Sequence, residues 1–103
     1  MSKDKLIAKE LLVKQPDEKL IFTMDFTARI PTGVTITDAT VDSHTTGNDL
    51  STLTISNTTI VGKKVLFFVE GGLNAYSYLI EVQATLSNEE IIIGAGMLKV
   101  VEV

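Results

Sequence analysis

Thirty-three of the 103 residues are Val, Ile or Thr, and twelve of the thirteen threonines fall between Thr23 and Thr59, where they alternate with apolar residues. A branched Cβ crowds the preceding turn of a helix but sits well on a pleated sheet. Alternation at period two gives strands with hydroxyls toward water and aliphatics toward a core. A chain of this size forms one domain with a modest core. The expected architecture is all-β: an immunoglobulin-like antiparallel sandwich of about seven strands.

Along the chain, residues 1–13 are expected to form an N-terminal arm or, as second choice, a short helix. Residues 14–103 are expected to form the sandwich domain. Gln15-Pro16-Asp17 signals a turn. In EKLIFTMDFTARI, Leu20, Phe22, Met24 and Phe26 share one face, and Pro31-Thr32-Gly33 stops the run. GVTITDA is a third strand, and TVDSHTTGNDL is loop-like at its centre. LSTLTISNTTI reads as a strand to Ser56 with a turn near Asn57. KKVLFFVE is almost continuously apolar, which predicts a central strand buried on both faces. Ser87-Asn88-Glu89-Glu90 is a hairpin turn into a last strand, in which Gly94 and Gly96 mark a kink or bulge.

Charge and composition remove several function classes. The chain has no cysteine, which excludes disulfides and thiolate metal sites. The net charge is −4, and no Lys or Arg occurs between Pro31 and Gly62. That middle third would repel a polyanion, so nucleic acid is not an expected partner. No apolar run reaches the roughly 20 residues of a membrane span, and no membrane association is expected. The first residues lack the continuous apolar stretch of a signal peptide.

Candidate chemistry is sparse. His44 is the only histidine, and its neighbours Asp42 and Ser43 are no triad, because triads are assembled from distant segments. It reads as an exposed loop residue. Asp38, Asp42, His44 and Asp49 lack the register of a calcium loop. Val61-Gly62-Lys63-Lys64 is not a phosphate loop, and Gly94-Ala95-Gly96 is not a dinucleotide fingerprint. Asn57-Thr58-Thr59 fits a glycosylation sequon, which matters only in a eukaryotic secretory pathway. Glu89 and Glu90 form an ordinary solvated turn pair. Glu70 and Glu81 flank a glycine pair and read as exposed charges rather than an acid–base couple. The expectation is a non-enzyme with no catalytic residue, cofactor or metal.

The segment GGLNAYSYLIEVQA, residues 71–84, poses the choice between a ligand site and a structural joint. Tyr78, Ile80, Val82 and Ala84 fall on one face and Leu79, Glu81 and Gln83 on the other. Gly71 and Gly72 suit a tight crossover. Tyr78 stands where a tyrosine corner returns its hydroxyl to the preceding loop. A joint is the expected outcome. Tyr76 is the tyrosine expected to stay partly exposed, and Tyr76 and Asn74 are where a ligand or partner would otherwise touch.

Two segments resemble small phage virion proteins of the fiber-tail adaptor type. In PDEKLIFTMDF (16–26) the matching run is Lys14, Pro16, Asp17, Glu18, Leu20, Phe22, Met24, Asp25 and Phe26, with phenylalanine at 22 and 26 where the family has tyrosine and tryptophan. VLFFVEGGLNAYSYLIEVQATLSNEE (65–90) is similar to that family's glycine pair and tyrosine-bearing strand, and MLKVVEV (97–103) also fits. The resemblance implies a structural component of a phage or prophage virion, made in the bacterial cytoplasm. Its partners would be other tail or fiber proteins, with homo-oligomers in assembly. An edge strand or the end loops would make contact, and the residue 1–15 arm could order on a neighbouring subunit. The alternative is an immunoglobulin-like module that binds carbohydrate or a cell surface. Sugar-binding faces usually display aromatics; this chain has no Trp, and Phe22, Phe26 and Tyr78 fall in core register.

Overall fold

The computed structural model describes residues 5–7, 12–45 and 53–102. Within them the strands are β1 (Lys5–Ile7), β2 (Leu12–Lys14), β3 (Lys19–Asp25), β4 (Ile36–Thr45), β5 (Leu53–Val61), β6 (Lys64–Gly71), β7 (Ser77–Leu86) and β8 (Ile91–Val100), with one short 3-10 turn at Thr27–Arg29. β1 and β2 both pair parallel with β8 and form two pieces of one edge strand. The larger sheet therefore runs β1/β2-β8-β7-β4, and the smaller runs β3-β6-β5. Counted as lanes, this is a seven-stranded sandwich, as the period-two reading expects. The order β3-β6-β5 against β8-β7-β4 is compatible with an immunoglobulin-like sandwich, but the first strand, β1/β2, joins the β8-β7-β4 sheet, where the constant-type order has it beside β3.

The inward faces interleave as the alternation requires. β3 contributes Met24, β6 contributes Val65, Phe67 and Val69, and β7 contributes Tyr78, Ile80, Val82, Ala84 and Leu86. Ile92, Leu98 and Val100 of β8 close the core, with Phe26 beyond the end of β3. Phe22 and Phe67 meet edge to face, with ring centroids 6.4 Å apart, a favourable arrangement of their quadrupoles.

Local chemistry moves several boundaries away from the expected ones. β3 ends at Asp25 rather than running on to Pro31, because the Asp25 carboxylate accepts the Thr27 N–H at 2.9 Å and also the Thr27 hydroxyl. Those bonds hold the carboxyl below its ordinary value and favour the 3-10 turn. The third strand starts at Ile36, after a turn closed by Val34 N–H donating to Pro31 O at 3.1 Å. It then continues through Thr45, so Asp42, Ser43 and His44 are strand residues, not loop residues. Residues 46–50, the rest of the predicted loop, and 51–52, from the start of the next predicted strand, lie outside the described set.

Near Asn57 the structure has a bulge rather than a turn. The β5–β6 register shifts between Ser56 and Thr59, and Asn57 takes φ +52°. The true reversal is at Gly62, with φ +60°. β6 is central in its sheet, but only its inward face is fully buried; Leu66 and Phe68 on the other face are half-buried. β8 carries no bulge against β7: their register is continuous from Ser77–Lys99 to Thr85–Ile91. Gly94 serves close packing instead, since a Cβ there would stand 2.9 Å from Met24 Sδ and 3.0 Å from Phe26 Cε1. Where an arm or short helix was the expectation, Lys5–Ile7 and Leu12–Lys14 are extended and paired with β8.

Candidate functional site

The glycine–tyrosine segment resolves into a corner held from three directions. Gly71 and Gly72 both take positive φ, +90° and +96°, which L side chains rarely adopt. A Cβ on Gly72 would lie 2.8 Å from Val100 Cγ2 and 3.0 Å from Leu53 Cδ2, so the backbone passes between β8 and β5 with no room for one. Tyr78 is fully buried, and its hydroxyl oxygen accepts the Leu73 N–H at 2.9 Å. Ala75 N–H donates to Val100 O, and Val100 N–H donates to Tyr76 O, at 2.7 and 2.9 Å. Asn74 Oδ1 accepts the Glu102 N–H at 2.8 Å. The polar groups of the loop are thus bonded to its own sheet. Tyr76 keeps 40% of its surface exposed and Leu73 47%, and these are the large apolar side chains of the corner that a partner could cover.

The Lys-x-Pro-Asp-Glu run is also turn chemistry. Lys14 is 1% exposed, and its Nζ donates to Gln15 O at 2.6 Å and Pro16 O at 3.2 Å. Burial pushes this ammonium below the ordinary lysine value, against the opposing pull of Glu18, Asp17 and Glu70. Gln15 N–H donates to Glu18 Oε1 at 2.8 Å, and Glu18 N–H to Gln15 O at 3.1 Å. Lys63, which reads in sequence as one of an isolated basic pair, caps the loop after the 3-10 turn through Ile30 O and Pro31 O. Neither lysine signals this structural role by spacing, because their acceptors are backbone carbonyls.

The sequence-flagged ionisable residues do not converge into a catalytic set. His44 projects from the outward face of β4, and its Nε2 lies 3.2 Å from Glu81 Oε1 on β7. Asp42 stands in register opposite Glu81, and Asp38 opposite Thr85. Asp49 lies outside the described residues. Glu70 and Glu81 are on different sheets. Among the described residues no three His, Asp or Glu side chains are grouped to hold a metal ion. Asn88 and Glu90 bond one another across the β7–β8 turn.

What the molecule does offer is surface. A groove of about 540 Å³ crosses the outward face of the smaller sheet, lined by Ile21, Leu66, Phe68 and the Asn57–Thr59 bulge. Ile21 is 56% exposed there, while the ring of Phe68 lies under Lys19 Nζ, 5.1 Å from its centroid. A cation over a half-buried ring leaves a poor stacking platform for a sugar. At the edge of the larger sheet, β4 has a neighbour on one side only among the described residues.

Comparison with known proteins supplies what the chemistry alone does not. The model of the family described as podophage GP4 fiber-tail adaptor protein gp77 matches residues 14–94. The matched span takes in the Lys14 turn, both sheets and the glycine–tyrosine corner, and ends within β8. A search of curated proteins finds no match. With a match over more than half of its length, the chain belongs to the podophage GP4 fiber-tail adaptor family.

Proposed function

We propose that this protein works as a non-enzymatic adaptor within a phage tail, joining tail and fiber components through protein–protein contacts. The family match over residues 14–94 carries the reading and makes the chain a structural component of a phage. The sandwich supports it physically. Its corner, turns and core are satisfied internally, so it can serve as a rigid body that presents edges and faces to partners. Rigid presentation lowers the ordering cost of docking. The site of action is the virion, and the partners are other tail or fiber proteins. Among the described residues, the polar side chains of Lys14, Glu18, Lys63 and Asn74 are engaged in holding turns and loops.

Deleting the gene from its phage or prophage and inspecting the particles tests the proposal. The expected result is particles without attached fibers, restored by the wild-type gene in trans, with the protein detectable by mass spectrometry in complete virions. Fiber-bearing, infectious particles from the deletion, or absence of the protein from purified virions, would overturn it.

A further inference from the structure

We propose that the outward face of the smaller sheet is a self-complementary interface, on which a second copy of this chain docks about a two-fold axis lying across the strands. The contact goes beyond the adaptor reading and stands without it. Three observations carry it.

The first is the make-up of the face. Alternation turns Leu20, Phe22 and Met24 of β3 inward and leaves Lys19, Ile21, Thr23 and Asp25 outward. On β6 the outward set is Lys64, Leu66, Phe68 and Glu70. In register, Ile21 stands opposite Phe68 and Thr23 opposite Leu66, while the charged pairs Lys19–Glu70 and Asp25–Lys64 close the two ends. An apolar centre within a polar rim is the anatomy of a protein interface. Ile21 is 56% exposed at that centre, where it lines the groove of about 540 Å³.

The second is charge. Each end of the face carries one cation and one anion, and their order reverses between the ends. Lysine is on β3 and glutamate on β6 at one end; aspartate is on β3 and lysine on β6 at the other. A two-fold axis across the strands lays each end of one copy on the opposite end of the other. Lys19 then meets Asp25 of the other copy, and Glu70 meets its Lys64. Every such pair is of opposite sign, which is the self-complementarity that a two-fold contact requires. The Lys19 ammonium is already held over the Phe68 ring, 5.1 Å from its centroid.

The third is registration. Lys19 and Asp25 are placed symmetrically about Phe22, and Lys64 and Glu70 about Phe67; Phe22 and Phe67 are themselves register partners. One axis through that row therefore serves both strands. On β5 the same row falls at the bulge between Ser56 and Thr59, so the third strand shares the centre. An axis along the strands, between β3 and β6, would also pair opposite charges, Lys19 with Glu70 of the other copy. It would leave β5 uncovered, including Val61, which is 54% exposed. At ordinary strand spacing and rise, three strands of seven residues give a footprint of about 14 by 23 Å. That is at the small end of specific interfaces, so the expected association is micromolar or weaker.

The test is sedimentation of the full chain from micromolar to millimolar concentration. The expected wild-type behaviour is a monomer–dimer equilibrium that stops at the dimer and weakens as salt screens the end charges. Ile21→Asp places a charge at the apolar centre, and Glu70→Lys sets like charges together twice in each dimer. Each is expected to weaken association about tenfold or more with the far-UV spectrum unchanged. The double reversal K64E/E70K gathers both cations at one end and both anions at the other. An axis across the strands then restores the dimer to the wild-type level or above it, whereas an axis along them sets cation on cation. A monomeric double variant overturns the proposal. Should a variant unfold, zero-length cross-linking of mixed light and heavy wild-type protein gives the same answer. Links between copies from Lys19 to Asp25 and from Lys64 to Glu70 support the contact; their absence, or links from Lys19 to Glu70 in their place, refutes it. A wild-type monomer at all concentrations that is still found in purified virions refutes this contact while leaving the adaptor function standing.

Discussion

Replacing Tyr78 by Phe removes one oxygen from the corner and nothing else. The ring is fully buried, and Phe fills the same volume, so no cavity term enters. What is lost is the acceptor for Leu73 N–H, now bonded at 2.9 Å. An amide left without a partner costs about 1–3 kcal/mol, the full desolvation of the group setting the upper end. The Leu73 side chain is exposed, so water can reach part of this loop, and the lower half of that range applies: about 1–2 kcal/mol. For a domain near 100 residues, each 1 kcal/mol moves Tm by about 4–8 °C. Thermal unfolding of Tyr78→Phe should therefore fall by roughly 5–15 °C, with an unchanged slope in urea, because the unfolded surface is the same. Hydrogen exchange gives the specific readout: the Leu73 amide should lose protection while the core amides of β7 lose only what the global stability loses. A variant within about 0.5 kcal/mol of wild type, with Leu73 still protected, would show that the corner is held without this bond.

The two packed glycines should respond differently to alanine. Gly72→Ala forces a Cβ onto a φ of +96° and against two buried side chains, for a loss of about 2–4 kcal/mol. Gly94→Ala keeps an ordinary φ and meets the flexible end of Met24 first, so its cost should be nearer 1 kcal/mol; urea midpoints of the pair check the order. Lys14 sets a pH dependence. Its folded value is depressed by burial, so between that value and the ordinary lysine value the unfolded chain holds more protons, and stability rises with pH across that window. Measured against Lys14→Met from neutral to alkaline pH, the wild type should gain relative stability; a flat difference would mean the ammonium is not desolvated.

Much of the fold was legible because period two and the turn residues agree. The Leu20–Phe26 alternation, the Tyr78–Ala84 face and the Ser87–Glu90 turn all read correctly from spacing, and Tyr78 was identifiable as a corner from its distance to the glycine pair. The misplacements share one cause. Thr, Asp, Ser and His between Thr40 and Thr45 look like a loop by composition, yet β7 pairs with them residue for residue, and tertiary pairing overrides weak local preference. At Asn57 a left-handed residue was read as a turn when it marks a bulge inside a strand. Gly94 and Gly96 read in sequence as a kink or bulge inside β8, whereas Gly94 makes space for Met24 and Phe26, a relation between residues about seventy positions apart that no local pattern encodes.

The candidate surface was less legible, for a physical reason. Catalytic sites announce themselves by residue types whose chemistry is rare elsewhere, but a docking edge is made of backbone, and every strand has the same backbone. Only the side chains that tune an edge leave a trace in composition. The absence of Lys and Arg from Pro31 to Gly62, set against five lysines in the first 19 residues, argues in sequence only against nucleic acid. An adaptor needs complementary surfaces on a body that does not deform when they are used. The corner at Tyr78, the capped turns at Lys14 and Lys63 and the tight seat at Gly94 supply the rigid body.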